Sequence, residues 1–285
     1  MADPDEIASE VARRVGRVPG VAAVVLGGSR ARGDADERSD VDLGLFYQPD
    51  RPPDLAALRA LARELDDRHP EDAVTPLGAW GPWINGGAWL TMSGVRVDWL
   101  YRDLALVSRV LDACEAGQPT IHYQVGYPHG FPSHIYAAEV HHGRALVDRD
   151  GAFAALQARA AVYPEALRAA LVRTFLWEAG FMWENALKPA ARGDVVFVAG
   201  CLHRCAACLL QVVFALNRCW FLHEKRALAI AAGLPSLPAH FAEILAHILS
   251  APGAGAPALR RQVERTGMLI EATRALADAE PGLRG

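Results

Sequence analysis

The chain has 285 residues, which suits one large domain or two medium-sized ones. Hydrophobic residues make up 52% of it, so it can bury a sizeable core and disorder is not expected. The formal net charge of −4 disfavours a protein that holds nucleic acid through non-specific phosphate contacts. The five cysteines do not form a disulfide framework, and neither a signal peptide nor a membrane-length apolar run stands out. We therefore expect a cytoplasmic location and no membrane partner.

The N-terminal half is predicted to alternate between helices and strands, on the spacing of its apolar residues. Predicted helices cover residues 5–18, 29–33, 54–69 and 102–117. Predicted strands cover residues 21–26, 41–47, 88–92 and 95–101. The last two strands form a hairpin around Ser93-Gly94. Residues 118–133 are rich in Pro, Gly and polar aromatics, which predicts an irregular connection of the kind that lines a site.

From Gly151 onwards alanine and leucine dominate and the apolar period becomes helical. Pro164 is expected to open one helix that Lys188-Pro189 ends, and Asp194 is expected to cap the next. The predicted helices cover residues 164–187, 195–222, 226–233, 239–250 and 257–279. The fold class is therefore α+β. A catalytic domain with a small mixed sheet is predicted over residues 1–150, and a helical bundle that closes the cleft over residues 151–285.

A glycine turn and two aspartates stand out around the first two predicted strands. Gly28 and Ser29 follow the first strand, where glycine lets the backbone approach a ligand and free N–H groups can bind an anion. Asp40 and Asp42 open the second strand, and strand positions two apart point to the same face. Two adjacent carboxylates repel each other. A hard divalent cation such as Mg²⁺ is the simplest partner that makes the pair favourable.

This Gly-Ser turn, the fixed gap and the Asp-x-Asp strand together resemble the nucleotidyltransferase superfamily of the DNA polymerase β type. The pattern is most similar to the minimal and the antibiotic-modifying nucleotidyltransferases, including those with a helical C-terminal domain. The resemblance implies an NTP donor, ATP being favoured, and one or two Mg²⁺ ions. It also implies a third carboxylate on a later strand, which Asp98 matches, since strand alternation points Asp98 away from the apolar face. The implied metal ligands are then Asp40, Asp42 and Asp98.

Further residues are assigned around the donor phosphates and the acceptor hydroxyl. Ser29 and the N–H groups around Gly28 are expected to hold the β- and γ-phosphates. Arg30 or Arg32 would neutralise charge on the pyrophosphate, and a solvated turn cation is an equal alternative for each. The general base is either Asp98 or, by resemblance to some antibiotic nucleotidyltransferases, Glu139.

The resemblance extends, more weakly, to the C-terminal half. Aminoglycoside-modifying members place a lysine of that domain on the nucleotide phosphates, and Lys225 is the matching residue. Asn217 would help to orient the substrate. A surface lysine and a helix-end amide are the alternatives for these two residues.

Three cysteines have the C-x₃-C-x₂-C spacing of the loop that binds the iron–sulfur cluster in radical-SAM enzymes. They are Cys201, Cys205 and Cys208. Their positions also share one face of a predicted apolar helix, and free cysteine packs as a small hydrophobe. Core packing is the preferred interpretation.

The sequence predicts Mg²⁺-dependent transfer of a nucleoside monophosphate, AMP being favoured, from an NTP to a hydroxyl group, with release of pyrophosphate. The favoured acceptor is a small molecule that resembles an aminoglycoside or a lincosamide, as in antibiotic resistance. Transfer onto a protein or RNA, as in minimal nucleotidyltransferase antitoxin systems, is the alternative. A nucleotide sensor without activity is disfavoured, because mere binding would not need three metal-facing carboxylates.

Overall fold

The computed structural model describes residues 3–36, 39–250 and 253–283. The chain forms two compact units. The first comprises residues 1–112, 122–124 and 136–162, and the second comprises residues 113–121, 125–135 and 163–285. The α+β fold class is confirmed. The predicted division at residue 150 into a catalytic domain and a closing domain stays a prediction.

The first unit combines a mixed sheet with short helices. Its strands are β1 (Val21–Leu26), β2 (Val41–Tyr47), β3 (Gly87–Met92), β4 (Val95–Asp103) and, later in the chain, β7 (Arg144–Asp148). Its helices are α1 (Pro4–Val15), α2 (Gly28–Arg32), α3 (Leu55–Leu65) and α6 (Ala152–Ala160), and α4 (Leu104–Glu115) and α5 (Ile135–His142) lie mostly within it. The strands β1 and β2 have the predicted bounds.

The order of strands across this sheet is β3-β4-β2-β1-β7. The strands β2 and β4 are parallel, whereas β1–β2, β1–β7 and β3–β4 are antiparallel. The strand β7 was not predicted, and it forms one edge of the sheet. A separate two-stranded sheet joins β5 (Ile121–His122) to β6 (Phe131–Pro132) in the stretch that was expected to be irregular.

The two faces of the five-stranded sheet differ in character. On one face Val41, Leu43, Val97 and Trp99 are fully buried, in a core that includes residues of α1 and α3. The other face is covered over only part of its length. There Phe46 of β2 packs edge-on against Phe153 of α6, with ring centroids 5.1 Å apart. The stretch of this face that carries Asp42 and Asp98 is half-buried.

The second unit is helical. Its helices are α7 (Glu165–Arg192), α8 (Val195–Leu216), α9 (Ala227–Ala231), α10 (Phe241–Ser250) and α11 (Ala256–Ala279). A core of small and branched side chains joins α7, α8, α10 and α11. Asp194 caps α8 as predicted, since its carboxylate accepts a hydrogen bond of 3.2 Å from the N–H of Phe197. Among the described residues, α8 is the one helix long and apolar enough to cross a membrane, but 61% of its apolar window is buried inside the protein.

The predicted ends of α7 and α8 differ most from the observed ones. The helix α7 does not stop at Lys188-Pro189 but continues to Arg192. Proline removes only one N–H group there, and the left-handed Gly193 closes the last turn through N–H bonds from Gly193 and Asp194 to the preceding carbonyls. The helix α8 ends at Leu216 and not at Leu222, because Asn217 closes it.

Candidate active site

Asp42 and Asp98 face each other on neighbouring strands. They are directly paired in the parallel register of β2 and β4. Adjacent strands lie about 4.8 Å apart, so the two Cα atoms are about 5 Å apart and both carboxylates rise from the same face. Their strand neighbours Val41 and Val97 are fully buried on the opposite face. The alternation predicted from the sequence is therefore present in both strands.

Gly28 brings the backbone of the glycine turn against Asp42. Its φ is +61°, and a Cβ atom added there would lie 1.9 Å from Oδ2 of Asp42. Only glycine accommodates both that conformation and that contact. The N–H group of Gly27 also donates a hydrogen bond of 2.9 Å to the carbonyl of Asp42. The turn and the carboxylate strand are thus one packed element.

The turn leads directly into the short helix α2, which begins at Gly28. The first helical hydrogen bond runs from the N–H of Ala31 to the carbonyl of Gly27, at 3.2 Å. The N–H groups of Gly28, Ser29 and Arg30 precede that bond and point out of the helix start, which is the positive end of the peptide dipoles. This places candidate phosphate donors next to Asp42.

Both predicted turn arginines have local partners. The guanidinium of Arg30 donates to the carbonyls of Ser39 (2.8 Å) and Asp40 (3.2 Å), so it ties α2 to the start of β2. Arg32 forms a salt bridge of 3.2 Å with Asp34. These contacts fix the shape of the turn. A part for either arginine at the pyrophosphate stays a prediction.

Asp40 has a partner that the sequence did not suggest. Its Oδ1 lies 2.8 Å from Nε of Arg96, which occupies the position on β4 two residues before Asp98. Within the described ranges, no three His, Cys, Asp or Glu side chains are already gathered as metal ligands. Asp40 is paired with Arg96, and Asp42 and Asp98 are adjacent carboxylates in the β2–β4 register.

Residues 5–79, which include the turn and the first two carboxylates, match a family model described as a nucleotidyltransferase domain. The chain contains a nucleotidyltransferase domain. The resemblance to that superfamily and the prediction of a nucleotidyltransferase are confirmed. Residues 133–225 match a second model, described as a domain of unknown function (DUF4037).

A nucleotidyltransferase-like protein from Exiguobacterium sibiricum 255-15 is among the solved structures to which this chain is similar. The similarity covers 96% of this chain and 74% of that chain, with 12% sequence identity and a TM-score of 0.43. No curated protein matches the chain.

Glu139 in this nucleotidyltransferase is bound to a buried arginine. Its two carboxylate oxygens accept hydrogen bonds of 2.6 and 2.8 Å from Arg102, whose side chain is only 2% exposed. Arg102 also lies over the ring of Tyr136, 5.3 Å from its centroid. Arg102 is four residues beyond Asp98 on β4, or about 13 Å along the strand. Glu139 therefore has a structural task, and its assignment as a general base stays a prediction.

Replacing Glu139 with glutamine is expected to lower the free energy of unfolding by about 3 kcal/mol, because Arg102 would stay buried without its counter-charge. Urea denaturation measures this loss. The double variant with Arg102→Met should recover most of the lost stability, since it removes the unpaired charge. A collapse of kcat in Glu139→Gln at unchanged stability would instead make Glu139 the general base.

Asn217 and Lys225 belong to the second unit. The amide of Asn217 donates to the carbonyls of Val213 (2.7 Å) and Ser236 (2.9 Å) and accepts from the N–H of Ser236 (2.8 Å). These bonds close α8 and hold the following loop. Lys225 is exposed, and its backbone N–H donates to Nδ1 of His223. The nucleotide-binding roles of both residues stay predictions.

The three clustered cysteines are packed inside the second unit, as preferred from the sequence. Cys201, Cys205 and Cys208 are each at most 1% exposed. The Sγ atom of Cys205 contacts the carbonyl of Ala179 at 3.4 Å, and burial raises the pKa of this thiol to about 12. The protonated thiol acts here as a small core side chain.

Sequence reasoning missed a pair of tryptophans on the carboxylate face. Trp89 of β3 is paired in register with Asp98, and it is 62% exposed. The indole of Trp80 stacks on it, with ring centroids 4.3 Å apart and planes 15° apart. The strand alternation of residues 88–92 would have assigned Trp89 to this face once the register with β4 was known.

Proposed function

We propose that the protein transfers AMP from ATP to a hydroxyl group of a small molecule, in a Mg²⁺-dependent reaction that releases pyrophosphate. The observation that carries this proposal is the register of β2 and β4, which pairs Asp42 with Asp98 beside the turn at Gly28. The paired carboxylates suit the metal ion of a metal–triphosphate donor, and the adjacent N–H groups suit its phosphate oxygens.

The donor set fits magnesium. Carboxylate oxygens are the ligands that this cation prefers, and a cation between two neighbouring carboxylates relieves their mutual repulsion. Asp42 and Asp98 would hold the ion. Asp40 would become the third ligand if it left its ion pair with Arg96. The ion supplies charge neutralisation at the reacting phosphate oxygens.

Groups of the protein itself bind the phosphates and accept the proton. The N–H groups of Gly28 and Ser29 bind phosphate oxygens at the start of α2. The oxygen of the acceptor hydroxyl forms a bond to the α-phosphorus, the bond to the leaving pyrophosphate oxygen breaks, and Asp98 accepts the hydroxyl proton. Arg96, released from Asp40, is close enough to the site to balance the charge of a phosphate.

A small acceptor is favoured over a nucleic acid, because the net charge of −4 gives no general attraction for a polyanion. By resemblance to the antibiotic-modifying nucleotidyltransferases, an aminoglycoside- or lincosamide-like compound is the proposed class. Transfer onto a protein is the competing outcome that the experiment must detect.

The test is pyrophosphate release from each of the four NTPs in the presence of pooled hydroxyl compounds, with Mg²⁺ and with excess EDTA. We expect release with ATP that depends on an added acceptor and falls to background with EDTA. Mass spectrometry should show the acceptor carrying one AMP. Label from ATP on the protein itself would favour protein modification, and metal-independent release would contradict the proposal.

A further inference from the structure

The stacked pair of the half-buried Trp80 and the exposed Trp89, which we name the indole platform, presents an aromatic surface on the carboxylate face of the sheet. Trp89 lies on the edge strand β3 and exposes 62% of its surface, while its strand neighbours Ala88 and Leu90 are buried on the opposite face. Burying an indole would gain free energy, so an indole left at the surface is available to a ligand.

The platform is held in place before any ligand arrives. The two rings are stacked at 4.3 Å and nearly parallel, at 15°. Trp89 is fixed by the β3–β4 ladder, which ends in the tight turn at Ser93-Gly94. The carbonyl of Trp80 accepts a hydrogen bond of 3.0 Å from Nε2 of Gln124. A rigid aromatic surface loses little conformational entropy when a ligand binds.

The order of elements across the face shows which part of the reaction the platform adjoins. The glycine turn follows β1, Asp42 is on β2, Asp98 is on β4 and Trp89 is on β3, and the strand order is β3-β4-β2-β1. At about 4.8 Å per strand, Trp89 is about 5 Å from Asp98 and about 10 Å from Asp42, measured between Cα positions. The carboxylates therefore lie between the phosphate turn and the platform.

In-line displacement at phosphorus relates this strand order to the position of the acceptor. The attacking oxygen must approach the α-phosphorus from the side opposite the leaving pyrophosphate. If the pyrophosphate lies at the turn that follows β1, as the proposed function requires, the acceptor enters from the side of β4 and β3. The platform is on that side.

We propose that Trp80 and Trp89 form the acceptor subsite, and that the acceptor is a hydroxylated ring compound whose C–H face covers the exposed indole. A saturated sugar or aminocyclitol ring has an apolar face of this kind and hydroxyl groups at its edge. A ring seated on Trp89 directs an edge hydroxyl towards Asp98. An amino group on the ring would gain further from the negative face of the indole and from the adjacent carboxylates.

The test is calorimetric titration of kanamycin A and of lincomycin into protein saturated with Mg²⁺ and a non-hydrolysable ATP analogue. We expect at least one of the two to bind, and Trp89→Thr to weaken that binding about tenfold, since loss of the ring removes its stacking and its buried area. Threonine keeps the strand preference of the position. Trp80→Ala should also weaken binding of the ring compound. It replaces Trp89→Thr as the test if the edge strand does not fold with threonine at position 89.

Trp177→Ala is the matched control. Trp177 on α7 is 67% exposed and stacks on Phe181 with planes 10° apart, but it lies outside the sheet. It should leave the affinity unchanged. Failure of both compounds to bind the wild-type protein, or unchanged binding in both platform variants, would overturn the proposal. Weaker binding of the ATP analogue in place of the acceptor would also overturn it, since the platform would then hold the base.

Failure of the acceptor-subsite proposal can be distinguished from failure of the proposed function. If the platform assignment fails, Mg²⁺-dependent pyrophosphate release by the wild-type protein is unaffected. If the proposed function fails, that release is missing with every acceptor, while binding of the ring compounds and its loss in Trp89→Thr are still measurable.

Discussion

Replacement of Asp42 with asparagine is expected to lower kcat about 10³-fold while the protein stays folded. Asparagine has the same shape but lacks the charge that holds a metal ion, and a catalytic metal contributes several kcal/mol of charge stabilisation in the transition state. The change also reduces the like-charge repulsion between Asp42 and the neighbouring Asp98. The loss of kcat should therefore appear in protein that is still folded at the assay temperature.

Steady-state pyrophosphate release and thermal unfolding measure the two effects on the same samples. Asp50→Asn is a suitable control, because Asp50 is an exposed carboxylate just after β2. It should change neither quantity. Turnover at the wild-type rate in Asp42→Asn would rule out the metal assignment, and a loss of kcat that merely follows a loss of folded protein would give this carboxylate a structural role.

Replacement of Gly28 with alanine is expected to lower kcat about 10²-fold, although it removes no functional group. The added Cβ atom would lie 1.9 Å from Oδ2 of Asp42, so the carboxylate or the turn must move by an ångström or more. Displacements of that size cost about two orders of magnitude in reactions that depend on alignment. The measurement is kcat at saturating ATP and acceptor.

Gly33→Ala separates this displacement from backbone strain. Gly33 also has a positive φ, of +77°, but an added Cβ atom there meets nothing within 4 Å. It should cost about 1 kcal/mol of stability and leave kcat within a factor of about two. Equal effects of the two alanines on kcat would mean that strain in the turn, and not the contact with Asp42, limits the reaction.

Much of the fold could be predicted where local patterns decide it. The strands Val21–Leu26 and Val41–Tyr47 are apolar and bounded by turn residues, and both have the predicted bounds. The edge strand Arg144–Asp148 could not be predicted, because it pairs only with β1 and its residues are exposed or half-buried. Its sequence therefore lacks a strong apolar period. The continuation of α7 through Pro189 likewise depends on packing and on Gly193.

The candidate site, too, could be predicted only where the local sequence pattern determines it. The alternation within each strand places Asp42 on one face of β2 and Asp98 on one face of β4 without knowledge of the fold. The contacts between strands need the register. The salt bridge from Asp40 to Arg96 and the position of Trp89 beside Asp98 both follow from pairings that join distant parts of the chain. Residue types alone do not reveal such pairings.

The parallel pairing of β2 with β4 also affects how the protein reaches its active form. Parallel neighbours need a crossover, and here α3 and β3 intervene between the two strands. The hairpin of β1 and β2 can form early from local contacts, but it carries only Asp40 and Asp42. The remaining carboxylate arrives when a slower, long-range closure joins β4 to the sheet. During synthesis the pair of Asp42 and Asp98 is therefore completed only after the hairpin of β3 and β4 has been made. The two like charges then meet when most of the sheet is present to oppose their repulsion.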